Sequence, residues 1–175
     1  NKEQQKIVNS LNDETSRLSK LVNELLDLSQ VETGNVKLTV GSVSPAKLVE
    51  QAVDSVKFQA ERINIDLDID VAEEMPMVKA DPEKTTWVLI NLLTNAIRYT
   101  PENGKIEIRV EQNADQIIFS VQDYGPGIEE KYLSRIFDKF FQVPGTSKGT
   151  GLGLAISKEF VEAQGGTITL QSKYG

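Results

Sequence analysis

Gly149-Thr150-Gly151-Leu152-Gly153-Leu154 stands between a loop of small and polar residues and an apolar run with helical spacing. Glycine leaves the backbone bare, so such a stretch can wrap closely round phosphate oxygens and aim several N–H groups at them. A helix starting directly after it adds its own free N–H groups and the positive end of its dipole. Alone, the stretch reads equally well as a plain turn. Two motifs upstream shift that balance.

The first is Asn91-Leu92-Leu93-Thr94-Asn95-Ala96-Ile97-Arg98-Tyr99. Asn91, Asn95 and Arg98 fall at i, i+4 and i+7 and share one helix face, while the leucines take the buried side. Two amides and a guanidinium aligned in this way suit a hydrated Mg²⁺ and phosphate oxygens, because Mg²⁺ takes oxygen ligands and keeps waters. By itself the pattern is also that of an ordinary solvated face. The second is Asp123-Tyr124-Gly125-Pro126-Gly127-Ile128, directly after strand-like text. An aspartate there can accept a hydrogen bond from an exocyclic amine, and the glycines leave room for a planar base. The same residues also suit a strand-to-helix turn.

Composition narrows the classes. The 175 residues fit one ordinary domain plus an appended element. A net charge of −7, from 19 basic and 26 acidic residues, argues against a general nucleic-acid binder. The absence of cysteine excludes disulfides and thiolate metal sites and matches a reducing compartment, so a cytoplasmic chain is expected. Histidine is absent too. No apolar run reaches membrane-spanning length and no signal peptide is visible, so no membrane contact by this chain is expected. Because it opens on Asn1 and stops at Gly175 after strand-like text, a part of a longer polypeptide is expected.

Residues 3–31 read as one long helix. Ile7, Leu11, Leu18, Leu21, Leu25 and Leu28 occupy a and d positions, interrupted by Glu14, and Val8 and Val22 broaden the stripe. Nothing breaks it before Gly34. Such a helix packs in a bundle or dimer, or lies across its own domain. Val36, Leu38 and Val40 then alternate as a short strand. Ser44-Pro45 opens a helix with core face Leu48, Val49, Ala52, Val53 and Val56. Ile63, Ile65, Leu67 and Ile69 alternate as a strand with one wet face. Asp81-Pro82 repeats the cap ahead of the stripe Val88, Leu89, Leu92, Leu93, Ala96 and Ile97. Ile106, Ile108 and Val110 form a strand. A turn at Asn113-Ala114-Asp115 leads to an antiparallel partner at Ile117, Phe119 and Val121. Helices at about 129–138 and 152–164 and a strand at 167–172 complete the pattern. The fold class is α+β: a two-layer sandwich of one mixed sheet with helices on one face, preceded by the long amphipathic helix.

The three motifs in this order resemble the nucleotide-binding domain of bacterial sensor histidine kinases, the Bergerat ATP-binding fold shared with gyrase-type and heat-shock-chaperone ATPases. Asn91 to Tyr99 resembles the family's N box, Asp123 to Gly127 its first glycine box, Phe137 to Phe141 its phenylalanine-containing box, and Gly149 to Gly153 its second glycine box. Ala155-Ile156-Ser157-Lys158 and Ala163-Gln164-Gly165-Gly166 continue and close the last helix in the family manner. Residues 1–34, ending Leu25-Leu26-Asp27-Leu28-Ser29-Gln30-Val31-Glu32, resemble the second helix of the dimerisation and phosphoacceptor hairpin. Residues 35–175 resemble the ATP-binding catalytic domain, with its last strand missing.

The resemblance implies roles. Asn95 is the Mg²⁺ ligand. Asn91 stands where the related ATPases carry a water-activating glutamate, so hydrolysis without a protein acceptor is slow, and its own metal contact runs through water. Tyr99 lies against the base and Asp123 takes the adenine amino group. Gly125, Gly127, Ile128, Phe140, Gly149, Thr150, Gly151, Leu152, Gly153 and Leu154 surround the nucleotide. Arg98 takes the usual lysine place near the phosphates and changes its geometry. Gln142 stands where many members carry an arginine near the γ-phosphate, which leaves Lys139 or Lys148 as substitute. Residues 139–150 form a flexible lid.

The implied reaction moves the γ-phosphoryl group of Mg–ATP to a histidine that this chain lacks, for relay to the aspartate of a response regulator receiver domain. The implied assembly is a homodimer through the hairpin helices. The alternative is an ATP-binding regulatory or pseudokinase module without phosphotransfer. Asn91 in place of an acid argues against a gyrase-type hydrolysing clamp. No G-x-x-x-x-G-K-[ST] is present, and the glycine spacing misses the dinucleotide-binding fingerprint.

Overall fold

The computed structural model describes residues 2–32, 37–72, 74–146 and 149–175, and only part of the side chains of the first helix. That helix, α1 (Lys2–Glu32), runs unbroken, as the absence of Gly and Pro allows. Ile7, Leu11, Leu18, Val22, Leu25 and Leu26 remain exposed on it. The expectations for Glu14, Leu28, Gly34 and Val36 lie outside the described residues.

The body follows as β1 (Gly41–Val43), α2 (Pro45–Glu61), β2 (Asp66–Val71), β3 (Val78–Ala80), α3 (Pro82–Tyr99), β4 (Lys105–Asn113), β5 (Gln116–Asp123), α4 (Glu130–Leu133) and α5 (Gly153–Ala163). The sheet order β2-β4-β5 is mixed: β2 and β4 run parallel, with Ile69 opposite Ile108, and β4 and β5 antiparallel, with Ile108 opposite Val121. β1 and β3 pair separately, Val43 opposite Val78. Along β4, Ile106, Ile108 and Val110 are buried while Glu107 and Arg109 turn outward, so only one face of this sheet carries helices. On the other, Glu107 takes charged hydrogen bonds from Arg109 and Lys105 and one from Tyr124, which hold its carboxyl down at about 2.

Two apolar clusters hold the helices. The larger joins Leu48, Val49, Ala52, Val53 and Val56 of α2 and Leu89, Leu93, Ala96 and Ile97 of α3 to the sheet. The smaller joins Val88 of α3 to Leu152, Ile156 and Phe160, with Trp87 edge-on to Phe160 at 5.3 Å between ring centroids. The α3 stripe thus splits: Leu89, Leu93 and Ala96 face α2 and the sheet, whereas Val88 and Leu92 face α5. Both proline-led helices have their caps. The Ser44 hydroxyl accepts from the Lys47 N–H at 3.5 Å and the Asp81 carboxylate from the Lys84 N–H at 3.0 Å.

Four expectations from sequence are corrected. Residues 37–40 form no strand, because the Thr39 N–H bonds to Asp81 Oδ2 at 2.6 Å instead of joining a ladder; the strand begins at Gly41. Ile63 and Ile65 belong to the turn closing α2, where Asn64 takes φ +53 and the Ile65 N–H bonds back to the Ala60 carbonyl, so β2 starts only at Asp66. The helix expected at about 129–138 is α-helical only over Glu130–Leu133 and continues as tight turns with i→i+3 bonds at Arg135 and Asp138. Residues 167–172 form no strand. The Ser172 hydroxyl accepts from the Ile128 N–H at 2.8 Å, tying this segment to a loop rather than to a strand. β3 had no expectation at all. Among the described residues, no helix is long and apolar enough to cross a membrane.

Candidate functional site

A cavity of about 700 Å³ opens between α3, the end of β5 and the loop leading into α5. Its α3 wall carries Asn91, Asn95, Arg98 and Tyr99, so the face read from i, i+4 and i+7 spacing does point into one space. Packing of the opposite α3 faces on α2 and the sheet aims it there.

Each polar group on that wall has a defined setting. Asn91 is 9 % exposed and its Nδ2 donates to the buried Ser157 hydroxyl at 2.9 Å, tying α3 to α5. A methyl group at Gly153 would run into the Asn91 amide and displace it from Ser157. Arg98 Nη1 donates to Asn95 Oδ1 at 3.2 Å, and a Cβ at Gly149 would stand 3.2 Å from the same nitrogen. The guanidinium therefore sits between the Asn95 amide and the glycine loop.

The loop after β5 closes the other side. Asp123 Oδ1 accepts from the Gly125 N–H at 2.9 Å, and a Cβ on Gly125 would come within 2.7 Å of the Tyr99 carbonyl oxygen. Gly127 has φ +71, and a side chain there would strike the Lys173 carbonyl. On the far rim, the Phe140 N–H donates to the Gly151 carbonyl at 2.9 Å. Gly151 has φ +74 and Phe140 φ +62, so both residues of this contact are left-handed. Gln142 Nε2 bonds to the Gly149 carbonyl at 2.9 Å. The Thr150 hydroxyl accepts from the Leu152 N–H at 3.2 Å and donates to Glu24 Oε2 at 2.5 Å.

Asn91, Asn95, Arg98, Tyr99, Asp123, Gly127, Ile128, Gly149, Thr150, Gly151, Gly153 and Leu154 all line this cavity. Lys139, Gly125, Phe140 and Leu152 do not. Leu152 is fully buried in the smaller cluster, Gly125 is packed against the Tyr99 carbonyl, and Phe140 is 59 % exposed while its neighbour Phe141 lines the cavity. Lys148 lies outside the described residues. Sequence reasoning missed Phe141, Val143, Leu170 and Glu24. Leu170 belongs to an alternating run that offered a signal, whereas Glu24 reads as one more polar residue on a long helix.

One anchor lies behind the wall. Asp81 is 3 % exposed; its carboxylate accepts from the N–H groups of Thr39 and Lys84, and its own N–H donates to Gln164 Oε1 at 2.6 Å. Burial pushes its carboxyl up, but the backbone donors of Lys84, Thr39 and Glu83 outweigh that and hold it below the usual carboxylate range. This links the start of α3 to the end of α5, the two helices that flank the cavity.

Residues 80–175 match the family model described as histidine kinase-, DNA gyrase B- and HSP90-like ATPase. The circadian input-output histidine kinase CikA of Synechococcus elongatus is 35% identical over 98% of this chain, which spans 24% of that protein. The crystal structure of full-length ShkA in complex with AMPPNP superposes with a TM-score of 0.81 at 28% identity, covering 97% of this chain and 37% of that one. Histidine kinase ThkA in complex with response regulator protein TrrA gives a TM-score of 0.73 at 31% identity over 92% of this chain and 45% of that chain. The chain spans between 11% and 28% of the length of curated relatives that it matches.

Proposed function

The chain belongs to the histidine kinase-, DNA gyrase B- and HSP90-like ATPase family, as a catalytic ATP-binding domain of the sensor histidine kinase type, and we propose from this premise that its cavity binds Mg–ATP for phosphoryl transfer to a histidine. The observation that carries the reading is the convergence of Asn91, Asn95 and Arg98 with the glycine loop Gly149–Gly153 on one cavity of about 700 Å³. The volume suits a nucleotide. The donor set fits as well: neutral amide oxygens for a metal that keeps its waters, a guanidinium for phosphate, and a bare backbone at Gly149 and Gly151.

Mg²⁺ would supply charge neutralisation at the phosphates, and Asn95 is the residue that would hold it, with Asn91 reaching it through water. Arg98 would stabilise charge on the phosphate oxygens from its place between Asn95 and Gly149. Asp123 would accept from the amino edge of adenine, while Tyr99 and Ile128 would flank the base. Asn91, locked to Ser157, has no carboxylate with which to activate water. That favours transfer to a protein acceptor over hydrolysis.

On the kinase reading the phosphoryl group goes to a histidine outside this sequence, which has none, and we assign α1 to the second helix of the hairpin that would carry it. The exposed apolar face of α1 would complete a homodimeric bundle in the cytoplasm. Onward transfer to a response regulator receiver domain is supported by the likeness to ThkA, whose structure is a complex with the response regulator protein TrrA. The test is transfer from γ-labelled Mg–ATP in the full-length parent. Acid-labile label that disappears in Asn95→Ala supports the kinase reading. Parent protein that binds ATP and never takes label would instead be a regulatory module.

A further inference from the structure

We propose that Glu24 is a nucleotide-released latch: its carboxylate docks helix α1 on the glycine loop through Thr150, and the phosphates of a bound nucleotide undo that contact. The proposal rests on the Mg–ATP reading of the cavity and adds a coupling between that cavity and α1.

Glu24 is 3 % exposed, whereas the following Leu25 and Leu26 are 46 % and 58 % exposed. Among the described side chains of α1, the one that is buried is thus a carboxylate, while Leu25 and Leu26 beside it stay in water. α1 packs on α5, and Glu24 lines the same cavity as Asn95, Arg98 and Thr150. The bond from the Thr150 hydroxyl to Glu24 Oε2 spans 2.5 Å and crosses 126 positions of sequence. Thr150 Oγ1 also accepts from the Leu152 N–H at the mouth of α5, so the latch pulls on the glycine loop itself.

Two properties make docking and nucleotide binding compete. A hydroxyl has one proton, so Thr150 can donate to Glu24 or to a phosphate oxygen but not to both. A carboxylate and a polyphosphate in one cavity also repel each other, more strongly than in bulk water. Coupling of this kind is reciprocal: the factor by which docked α1 weakens nucleotide binding equals the factor by which nucleotide weakens docking. Nucleotide loading would therefore free α1, and with it the exposed apolar face that α1 carries.

The experiment uses the whole chain. Because it contains no cysteine, Ser19→Cys and Glu162→Cys can be spin-labelled as a unique pair reporting the α1–α5 separation. Mg–ATP affinity is measured in parallel by calorimetry for wild type, Glu24→Ala and Glu24→Gln. In the wild type, Mg–ATP should lengthen the label distance. Glu24→Ala should show the long distance without nucleotide and bind Mg–ATP about fivefold tighter or more. Glu24→Gln, which keeps an acceptor for Thr150 but no charge, should fall between the two. Unchanged affinity in both variants, or a wild-type distance that Mg–ATP leaves unmoved, overturns the latch and leaves the nucleotide reading standing. Weaker binding in Glu24→Ala also overturns it, by making Glu24 a ligand. If no form binds Mg–ATP, the nucleotide reading fails and the latch with it.

Discussion

Helix α3 is flanked by two unlike regions. Toward α2 and the sheet, Leu89, Leu93, Ala96 and Ile97 interlock with Leu48, Val49, Ala52 and Val53 and with Ile106 and Ile108, in a continuous apolar contact. Toward α5 the contact is smaller: Val88 with Leu152, Ile156 and Phe160, interrupted by the Asn91–Ser157 hydrogen bond and bordered by the cavity. The first region fixes where α3 lies. The second holds α5 and its loop by few apolar contacts and by left-handed backbone at Gly151 and Phe140. Segments with fewer buried apolar contacts open at lower free energy, and a site that must admit and release a nucleotide is drawn from that end. One helix therefore serves both as anchor and as wall.

The contrast can be broken most directly by cutting into each side. Leu93→Ala should destabilise the fold by about 2–5 kcal/mol, read as a shift of the urea midpoint at unchanged slope. Ile156→Ala, in the smaller cluster, should fall at the low end of that range. Equal losses would erase the distinction between the two regions. Gly151→Ala acts differently. Its φ of +74 and the Phe140 backbone 2.6–2.9 Å from a built Cβ leave no room for a methyl group. Strain of about 1–3 kcal/mol should then appear chiefly as Mg–ATP binding weakened about tenfold, with the urea midpoint little moved.

Acid sharpens the same comparison at Asp81. Because its folded-state pKa is depressed, its contribution is present above the unfolded carboxylate value and is lost as pH falls through the folded one. Acidification below about pH 4 should cost the wild type more stability than Asp81→Asn, measured by urea melts at a series of pH values. Parallel losses would mean that Asp81 caps α3 without any charge-dependent gain. The smallest effect expected is in exchange kinetics. Backbone amides at 143–146 and 149–151 should slow on adding Mg–ATP more than those of Ile106–Val110. Equal protection of both would count against a lid.

What was legible in the sequence is what local chemistry decides. Ser44-Pro45 and Asp81-Pro82 mark helix starts because the cap and the fixed φ of proline act within one turn, and both helices begin there. The β4–β5 hairpin was readable from alternation around Asn113-Ala114-Asp115. The polar face of α3 followed from spacing alone, since a helix of 18 residues keeps its register. The remainder depends on partners far along the chain. Residues 37–40 look like a strand until Asp81 takes the Thr39 N–H from 42 positions away. Residues 167–172 alternate like a strand, yet Ser172 bonds to Ile128. Glu24 carries no local mark, because its meaning comes from Thr150. Phe140 and Phe141 could not be told apart without the backbone turn that sends one ring to solvent and the other into the cavity.

The central claim is that Asn95 and its neighbours on α3 form a Mg–ATP site. Calorimetric titration of the chain with ATP, with and without Mg²⁺, before and after Asn95→Ala, tests it most directly. The account predicts Mg²⁺-dependent binding in the wild type and a loss of about 1.4 kcal/mol, tenfold in Kd, confined to the Mg²⁺-dependent part in Asn95→Ala. Equal affinity with and without Mg²⁺, or an Asn95→Ala chain that binds as the wild type does, would contradict it.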